Sequence, residues 1–355
     1  MGSADAGRHR LLLCLPFVVM AVVAAADLSA GPQVGLLALF SLGPGFAAVA
    51  GSARRAVVVG FLAGALCALD AVYDGLKGSR RETAALVAVA GATAAAVLAG
   101  FARRRIEQEL ADVRSIAQTA QRVLLRPVPT VAGPMRIAVS YTSAASAAQI
   151  GGDLYEVVRS PKGTRVLIGD VQGKGLAAVE TAAVVLGAFR EAAPEEEKLA
   201  EVGCRLERAL NRRLEGEEFV TAVLVEVDDE RETSMLNYGH PAPLLLHPGG
   251  LVERIEPPQF APPLGLAELG PEAPSPFTVS MSPGDQLLLF TDGVSETRGP
   301  DGTFYPLEER ICLLGTSDPD STLEAIRHDL TDYAHGPLTD DAAMLLLRFR
   351  DDRMG

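Results

Sequence analysis

The sequence predicts an α+β protein with mostly antiparallel sheets and helices on their outside, preceded by an all-α bundle of transmembrane helices. Two observations predict this architecture. Residues 1–102 are rich in Ala, Val, Leu and Gly and carry little charge, whereas the remainder holds most of the acidic excess behind the net charge of −13. In that remainder, many strand-like runs are joined by short turns, which is typical of antiparallel sheets rather than of a βαβ repeat.

Four apolar stretches approach the roughly 20 residues that a helix needs to cross a bilayer. They are Leu11–Ala26, Gln33–Ala50, Ala56–Tyr73 and Ala84–Phe101. Arginines precede the first stretch, separate the second from the third and follow the fourth, so four crossings place these clusters on one side, the cytoplasm. We therefore expect a multi-pass region of the cell membrane over 1–102. If the first stretch is instead a cleaved signal peptide, the C-terminal part still ends in the cytoplasm.

A polar helix is predicted over Arg103–Arg126, and Pro127 and Pro129 end it because proline lacks the amide donor. Its apolar positions alternate by four and three residues: Ile106, Leu110, Val113, Ala117, Ala120 and Leu124. This heptad-like seam in the linker 103–131 has two interpretations. It pairs two subunits in parallel through 103–126, or it packs one amphipathic helix on its own domain.

The predicted strands and helices of the domain 132–352 follow from periodicity and composition. The strands are Met135–Tyr141, Leu154–Arg159, Arg165–Ile168, Val220–Val227, Ser234–Asn237, Pro243–His247, Gln286–Phe290 and Ala343–Phe349. The helices are Leu176–Ala193, Lys198–Leu214 and Ser321–Tyr333. The proline-rich stretch Glu253–Phe277 is predicted to be an irregular loop.

Four aspartates, Asp153, Asp170, Asp292 and Asp340, each stand at the edge of an apolar strand-like run. A cluster of carboxylates with little His or Cys nearby suits Mg²⁺ or Mn²⁺. Two such ions about 3.5 to 4 Å apart clamp a phosphate and activate a water molecule, so the set predicts phosphoester hydrolysis by metal-bound hydroxide. Any one of these aspartates alone is more typical of a turn or a cap, and the prediction rests on all four together.

The turn after Asp170 reads VQGKG, and its two glycines allow the Asp170 carboxylate and the Val171 carbonyl to point at one ion. Lys174 in this turn either contacts phosphate as a point charge or is an ordinary solvated lysine. The histidines form no ligand pattern for zinc, and an acidic domain without a basic stripe excludes nucleic acid as a partner.

Six motifs occur in a fixed order: GGDLYEVV, GDVQGKGLAA, FVTAVLVEVD, NYGHPAPLLL, PGDQLLLFTDGVSET and TDDAAMLLLRF. With them, residues 132–350 resemble the SpoIIE-like branch of the PPM (PP2C-type) serine/threonine protein phosphatases. The resemblance implies an αββα sandwich of two antiparallel sheets flanked by helices, with a site for two Mn²⁺ or Mg²⁺ ions at one edge.

The resemblance also implies roles for individual residues. Asp170 bridges the two ions, Asp153 joins it at one ion, Asp292 and Asp340 hold the other, and the Val171 carbonyl completes a shell. No protein side chain is implied as a catalytic group beyond the metal-bound water. The wider PP2C pattern has a DGHGG motif whose His is considered the leaving-group acid, and Gln172 occupies that place here.

The sequence and the resemblance together predict a membrane-anchored phosphatase whose domain lies in the cytoplasm. In the resembled branch the usual substrate is a phosphorylated anti-sigma factor antagonist, a small STAS-domain protein. The alternative is a catalytically silent phosphatase fold that serves as a signalling scaffold. A transporter is a weaker alternative, because the apolar stretches lack a repeated pattern of broken helices.

Overall fold

The computed structural model describes residues 3–30, 36–50, 53–73, 75, 77–144, 151–213, 218–228, 230, 232–267, 274–314 and 318–350. The chain divides into two compact units, Met1–Ala111 and Asp112–Gly355. The long helix α4, Arg80–Leu124, begins in the first unit and ends in the second. The predicted boundaries at residues 102 and 131 stay predictions.

The first unit is helical wherever it is described apart from short turns. Its elements are α1 Ser3–Ala30, a 3-10 helix Leu37–Ser41, α2 Leu42–Ala50, α3 Ala53–Tyr73 and the start of α4. Two helices, α3 and α4, are long and apolar enough to cross a membrane, and Cys14–Ser29 and Leu37–Ala47 are shorter apolar helical segments. Residues 33–35 of the second predicted span lie outside the described residues. The four predicted stretches thus yield two helices of sufficient length.

The second unit contains two antiparallel sheets. The six-stranded sheet A has the order β1-β2-β11-β10-β7-β8, and the five-stranded sheet B has the order β3-β4-β5-β6-β9. The strands are β1 Val131–Ala132, β2 Met135–Thr142, β3 Leu154–Ser160, β4 Gly163–Val171, β5 Val220–Val227, β6 Glu232–Tyr238, β7 Leu244–Leu246, β8 Val252–Arg254, β9 Phe277–Ser280, β10 Gln286–Phe290 and β11 Ala342–Phe349.

Helices cover the outer face of each sheet. They are α5 Leu176–Glu195, α6 Leu199–Asn211, α7 Asp292–Ser295, α8 Leu307–Leu314 and α9 Pro319–Tyr333. Alternate residues of one strand enter different cores, as a period of two requires. In β11, Leu345 and Leu347 enter the core between the sheets, whereas Met344 and Leu346 pack against the helices outside sheet A. Leu167 of β4 likewise packs against α5 and α6. The result is the expected αββα sandwich.

The predicted strands agree with the structure most closely where both strand faces are buried. Val220–Val227 and Gln286–Phe290 have the predicted bounds, and the other predicted strands differ by a few residues. The loop predicted over Glu253–Phe277 holds the end of β8 and the start of β9, both short edge strands with exposed polar positions. Residues 268–273 of this loop, and Leu214 at the end of a predicted helix, lie outside the described residues.

The seam of the linker helix divides into two parts. Ala117 is buried against Val179 of α5, and Ala120 and Leu124 pack beside it. The three earlier seam positions are half-exposed: Ile106, Leu110 and Val113. The C-terminal half of the seam therefore packs on its own domain, and the helix ends at Leu124.

Arg165 of β4 fastens α5 to sheet B. Its side chain is fully buried, forms an ion pair with Glu226 on β5, and donates hydrogen bonds to the carbonyls of Ala193 (2.8 Å), Glu196 (2.6 Å) and Glu197 (3.1 Å). The Ala193 carbonyl lies in the last turn of α5, where helix carbonyls lack intrahelical donors, and Glu196 and Glu197 directly follow the helix. One guanidinium thus replaces several missing donors and holds the helix on the strand that leads to Asp170.

We expect Arg165→Met to lower the free energy of unfolding by about 3 to 5 kcal/mol, because it leaves Glu226 and three carbonyls without their donor. Urea unfolding followed by circular dichroism measures the change. The control is Arg136→Met, which removes a partly exposed pair with Asp318 and should cost about 1 kcal/mol or less. Equal losses in the two variants would contradict the role assigned to Arg165.

Candidate active site

Sheet B brings Asp153 and Asp170 together. Asp170 is the penultimate residue of β4, and Asp153 immediately precedes β3. The two strands are antiparallel, with Leu154 opposite Gly169, so the start of β3 lies beside the end of β4. The two carboxyl groups are close enough for each to shift the pKa of the other.

Sheet A brings Asp292 and Asp340 to one end by the same geometry. Asp292 begins α7, two residues after β10 ends at Phe290, and Asp340 stands two residues before β11 begins. In the antiparallel pair, Phe290 lies opposite Met344, so the end of β10 adjoins the start of β11. All four predicted aspartates therefore lie at strand ends, two on each sheet.

Thr291 joins the two sheets at this edge. Its hydroxyl donates a 2.8 Å hydrogen bond to Asp153 and accepts one of 3.0 Å from the backbone amide of Ala343. Its own amide donates to the Ala343 carbonyl at 3.1 Å. The residue is fully buried. Sequence reasoning missed Thr291, although its place directly before Asp292 is a signal.

Electrostatics confirm that the carboxylates influence one another. Burial and the neighbouring Asp170 hold the pKa of Asp153, which is 3% exposed, well above its usual range. Burial and the charge of Asp292 raise the pKa of Asp170 to about 7, although the hydrogen bond with Asp153 opposes the rise. Burial, Glu296 and Asp340 raise the pKa of Asp292. Such crowding of acids requires bound protons or cations.

Lys174 supplies one cation. Its ammonium donates to Asp340 Oδ1 at 2.9 Å and to Oδ2 at 2.8 Å. In this conformation, the His, Cys, Asp and Glu side chains within the described residues form no group of three or more that could hold a metal ion. Asp153 and Asp170 thus form one neighbouring pair, and Asp340 is bound to Lys174. The charge of Asp292 raises the pKa of both Asp153 and Asp170.

The donor chemistry fits a hard divalent cation. The buried groups at this edge are carboxylate oxygens and backbone carbonyls, and their raised pKa values express the repulsion that a cation relieves. Gly152 packs against the Val171 backbone, and a Cβ there would come within 2.5 Å of the Val171 carbonyl oxygen. Val171 also donates its amide to the Gly152 carbonyl at 3.2 Å. The two motifs GGD and GDV are thus in backbone contact.

Asp341, the residue after Asp340, is buried and accepts several hydrogen bonds. Its carboxylate accepts hydrogen bonds from the Tyr141 hydroxyl and from the amides of Ala144 (2.8 Å) and Gly151 (3.2 Å). The Gln121 side chain of α4 donates to the Gly151 carbonyl at 3.2 Å. These residues fix the backbone just before Asp153, and no sequence signal distinguishes them from ordinary polar residues.

His240 lies near this edge without belonging to the acid cluster. Its Nδ1 is 3.0 Å from the Thr221 hydroxyl, and Thr221 is the register partner of Asp170. Burial lowers its pKa to about 3, so the ring is neutral at physiological pH. Reciprocal hydrogen bonds between the Asn237 side chain and the His240 backbone, at 3.0 and 2.8 Å, close the turn after β6.

Comparison with known proteins gives one family and a set of solved folds. The family model described as Stage II sporulation protein E (SpoIIE) matches residues 160–350. A structure of the RsbU and RsbW domains of Rv1364c from Mycobacterium tuberculosis is 22% identical, with a TM-score of 0.54, and the match covers 64% of this chain and 62% of that one.

Two further structures have the same fold. The SiaA-PP2C domain of Pseudomonas aeruginosa is 20% identical, with a TM-score of 0.55 and coverage of 70% of this chain and 98% of that chain. The PP2C phosphatase domain with a regulatory fragment of SpoIIE from Bacillus subtilis is 16% identical, with a TM-score of 0.51 and coverage of 61% and 64%. This chain thus spans less than two thirds of the Mycobacterium and Bacillus chains. The predicted αββα sandwich of two antiparallel sheets flanked by helices is confirmed.

We expect Tyr141→Phe to lower the free energy of unfolding by about 1 to 3 kcal/mol, because it removes a donor from the buried Asp341 carboxylate. Chemical unfolding measures the change. The control is Tyr333→Phe, whose exposed hydroxyl lies 2.7 Å from that of Thr303 and whose loss should cost less than about 1 kcal/mol. A Tyr141→Phe variant as stable as the parent would show that Asp341 does not depend on this hydroxyl.

Proposed function

The chain belongs to the SpoIIE family, and we propose on this basis that residues 132–352 form a metal-dependent phosphoprotein phosphatase. The proposed reaction is hydrolysis of phosphoserine or phosphothreonine in a partner protein. The observation that carries the proposal is the edge where Asp153 and Asp170 of sheet B come close enough to Asp292 and Asp340 of sheet A for these acids to raise one another's pKa. Thr291 joins the two sheets there through Asp153 and Ala343.

The proposed ligand set follows the family resemblance. Asp170 would bridge two Mn²⁺ or Mg²⁺ ions, Asp153 and the Val171 carbonyl would complete the first position, and Asp292 and Asp340 would hold the second. The ions, when bound, supply an activated water and offset the charge of the phosphate. The raised pKa values mean that these acids bind protons more readily than ordinary aspartates do. A cation must displace those protons, so cation binding should weaken as the pH falls.

The protein's own residues restrict how the leaving group is protonated. Gln172 stands where the wider family has a histidine, and an amide does not act as an acid near neutral pH. His240 is buried and its pKa is about 3, so its ring is neutral at physiological pH. It therefore lacks the imidazolium form that would act as the acid. We infer that the proton of the departing Ser or Thr comes from neither side chain.

We further propose that the enzyme is anchored in the cell membrane by residues 1–102, with the phosphatase domain in the cytoplasm. The support is the pair of long apolar helices and the arginines around the apolar stretches. The proposed substrate is a phosphorylated STAS-domain anti-sigma factor antagonist, which is the usual substrate in the resembled branch.

A homodimer through 103–126 is the accompanying proposal. Its support is the exposed half of the linker seam, Ile106, Leu110 and Val113, which remains apolar although it faces solvent. The packing of Ala117 on Val179 leaves this earlier half for a partner helix.

A catalytically silent scaffold is the second candidate. The observation in its favour is that Asp340 is bound to Lys174, while the described residues contain no group of three potential ligands in this conformation. The scaffold predicts no turnover with any divalent ion.

We expect Asp170→Asn to lower manganese-dependent phosphate release by about 100-fold or more, since even residues outside the ligand shell contribute about 10- to 100-fold. The assay measures inorganic phosphate released from a phosphoserine peptide by the full-length protein in detergent. The matched control is Asp228→Asn, at the other end of sheet B, which should keep the parental rate. A parent without metal-dependent turnover would favour the scaffold, and an active Asp170→Asn variant would refute the bridging role.

We expect the full-length protein to stay in the membrane pellet after an alkaline carbonate wash, because apolar helices of this length are held by the bilayer core. A C-terminal tag should be digested by protease in inverted vesicles and protected in sealed right-side-out vesicles. Release into the soluble fraction would exclude the anchor, and the opposite protease pattern would exclude a cytoplasmic domain.

A further inference from the structure

Lys174 acts on three of the four aspartates. Its ammonium lies 2.8 and 2.9 Å from the two carboxylate oxygens of Asp340, and its charge opposes the rise in the pKa of Asp170 and of Asp292. The lysine side chain is 34% exposed and that of Asp340 is 47% exposed, so both reach solvent. The ammonium therefore lies beside the same carboxylates that would attract a divalent cation.

We propose that Lys174 is an internal counter-ion that competes with a divalent cation for Asp340 and weakens cation binding on the Asp292–Asp340 side. This inference rests on the proposed function, because it concerns the same acid cluster. It assigns Lys174 a role before substrate arrives, which differs from the direct phosphate contact considered from the sequence.

The competition follows from donor chemistry. The ammonium donates to both oxygens of Asp340, and a cation on that carboxylate needs the same lone pairs. Asp340 Oδ1 also accepts the amide of Asp341 at 2.9 Å, and Asp341 is held by its own buried hydrogen bonds. The Asp340 carboxylate is thus held in place by the backbone of Asp341. When the ion pair separates, we expect the long side chain of Lys174 to move.

The turn that carries Lys174 favours such a movement. Gly173 and Gly175 have φ values of +97° and +88°, a region that other residues rarely adopt, so the backbone path on both sides of the lysine is set by glycine. The long side chain can leave Asp340 without moving that backbone. Displacement then exchanges one ion pair for a metal–carboxylate contact, and the released ammonium stays next to the site.

The test is titration of Mn²⁺ into the full-length, chelator-treated protein in detergent, followed by calorimetry. Lys174→Gln should bind the weaker of its Mn²⁺ ions about three- to tenfold more tightly than the parent, the range expected for loss of a partly exposed ion pair. Lys174→Arg keeps the charge and should stay within about twofold of the parent. The matched control is Lys162→Gln, which removes a surface lysine 3.4 Å from Glu197 and should leave the affinity unchanged.

Thermal unfolding gives a second readout. Without metal, Lys174→Gln should unfold at a lower temperature than Lys162→Gln, because Asp340 then repels its neighbours, and saturating Mn²⁺ should restore more of its stability. Unchanged or weaker Mn²⁺ affinity in Lys174→Gln would overturn the competition while leaving the phosphatase proposal standing. Absence of Mn²⁺ binding in the parent would overturn both.

Discussion

The burial of carboxylates at a shared edge of two sheets is the constraint on which this domain depends. An ionised carboxylate that leaves water is costly unless a hydrogen bond, proton or cation compensates it. Asp153 receives a hydrogen bond from the Thr291 hydroxyl, whereas Asp340 receives two from the Lys174 ammonium. Asp153 and Asp340 thus have different compensating partners, and these partners differ in how readily a cation replaces them. The ammonium of Lys174 belongs to a partly exposed side chain, whereas Thr291 is buried and also hydrogen-bonded to the Ala343 backbone of sheet A.

Antiparallel pairing explains why the acids meet at all. In such a pair the end of one strand lies beside the start of the other, so an aspartate that follows a strand approaches one that precedes its neighbour. Asp170 near the end of β4 meets Asp153 before β3, and Asp292 after β10 approaches Asp340 before β11. The αββα packing then sets the two sheet ends next to each other. A one-residue shift in any of these registers would turn the acids and the core residues to opposite faces.

Strands that are buried on both faces have a sequence pattern that predicts them, whereas exposed edge strands and contacts between distant segments do not. The runs VLIG and LLLF are apolar on both faces because both faces are covered, which made β4 and β10 visible. The edge strands β8 and β9 are short and partly exposed, so their pattern resembles a loop. The four aspartates were identified by their places at strand ends. Thr291 and Asp341 were not, because their importance arises from contacts between segments far apart in the chain.

The linker helix belongs physically to this edge, although the sequence separates it from the domain by two prolines. Gln121 donates to the Gly151 carbonyl, two residues before Asp153. Arg190 of α5 donates to the Leu124 carbonyl at 2.6 Å and pairs with Glu156, three residues after Asp153. The last turns of α4 therefore contact the segment before Asp153 directly, through Gln121, and the segment after it by way of Arg190. A helix that ended at the same place without these hydrogen bonds would leave the GGD segment held by Val171, Asp341 and Thr291 alone among the hydrogen-bond partners described above.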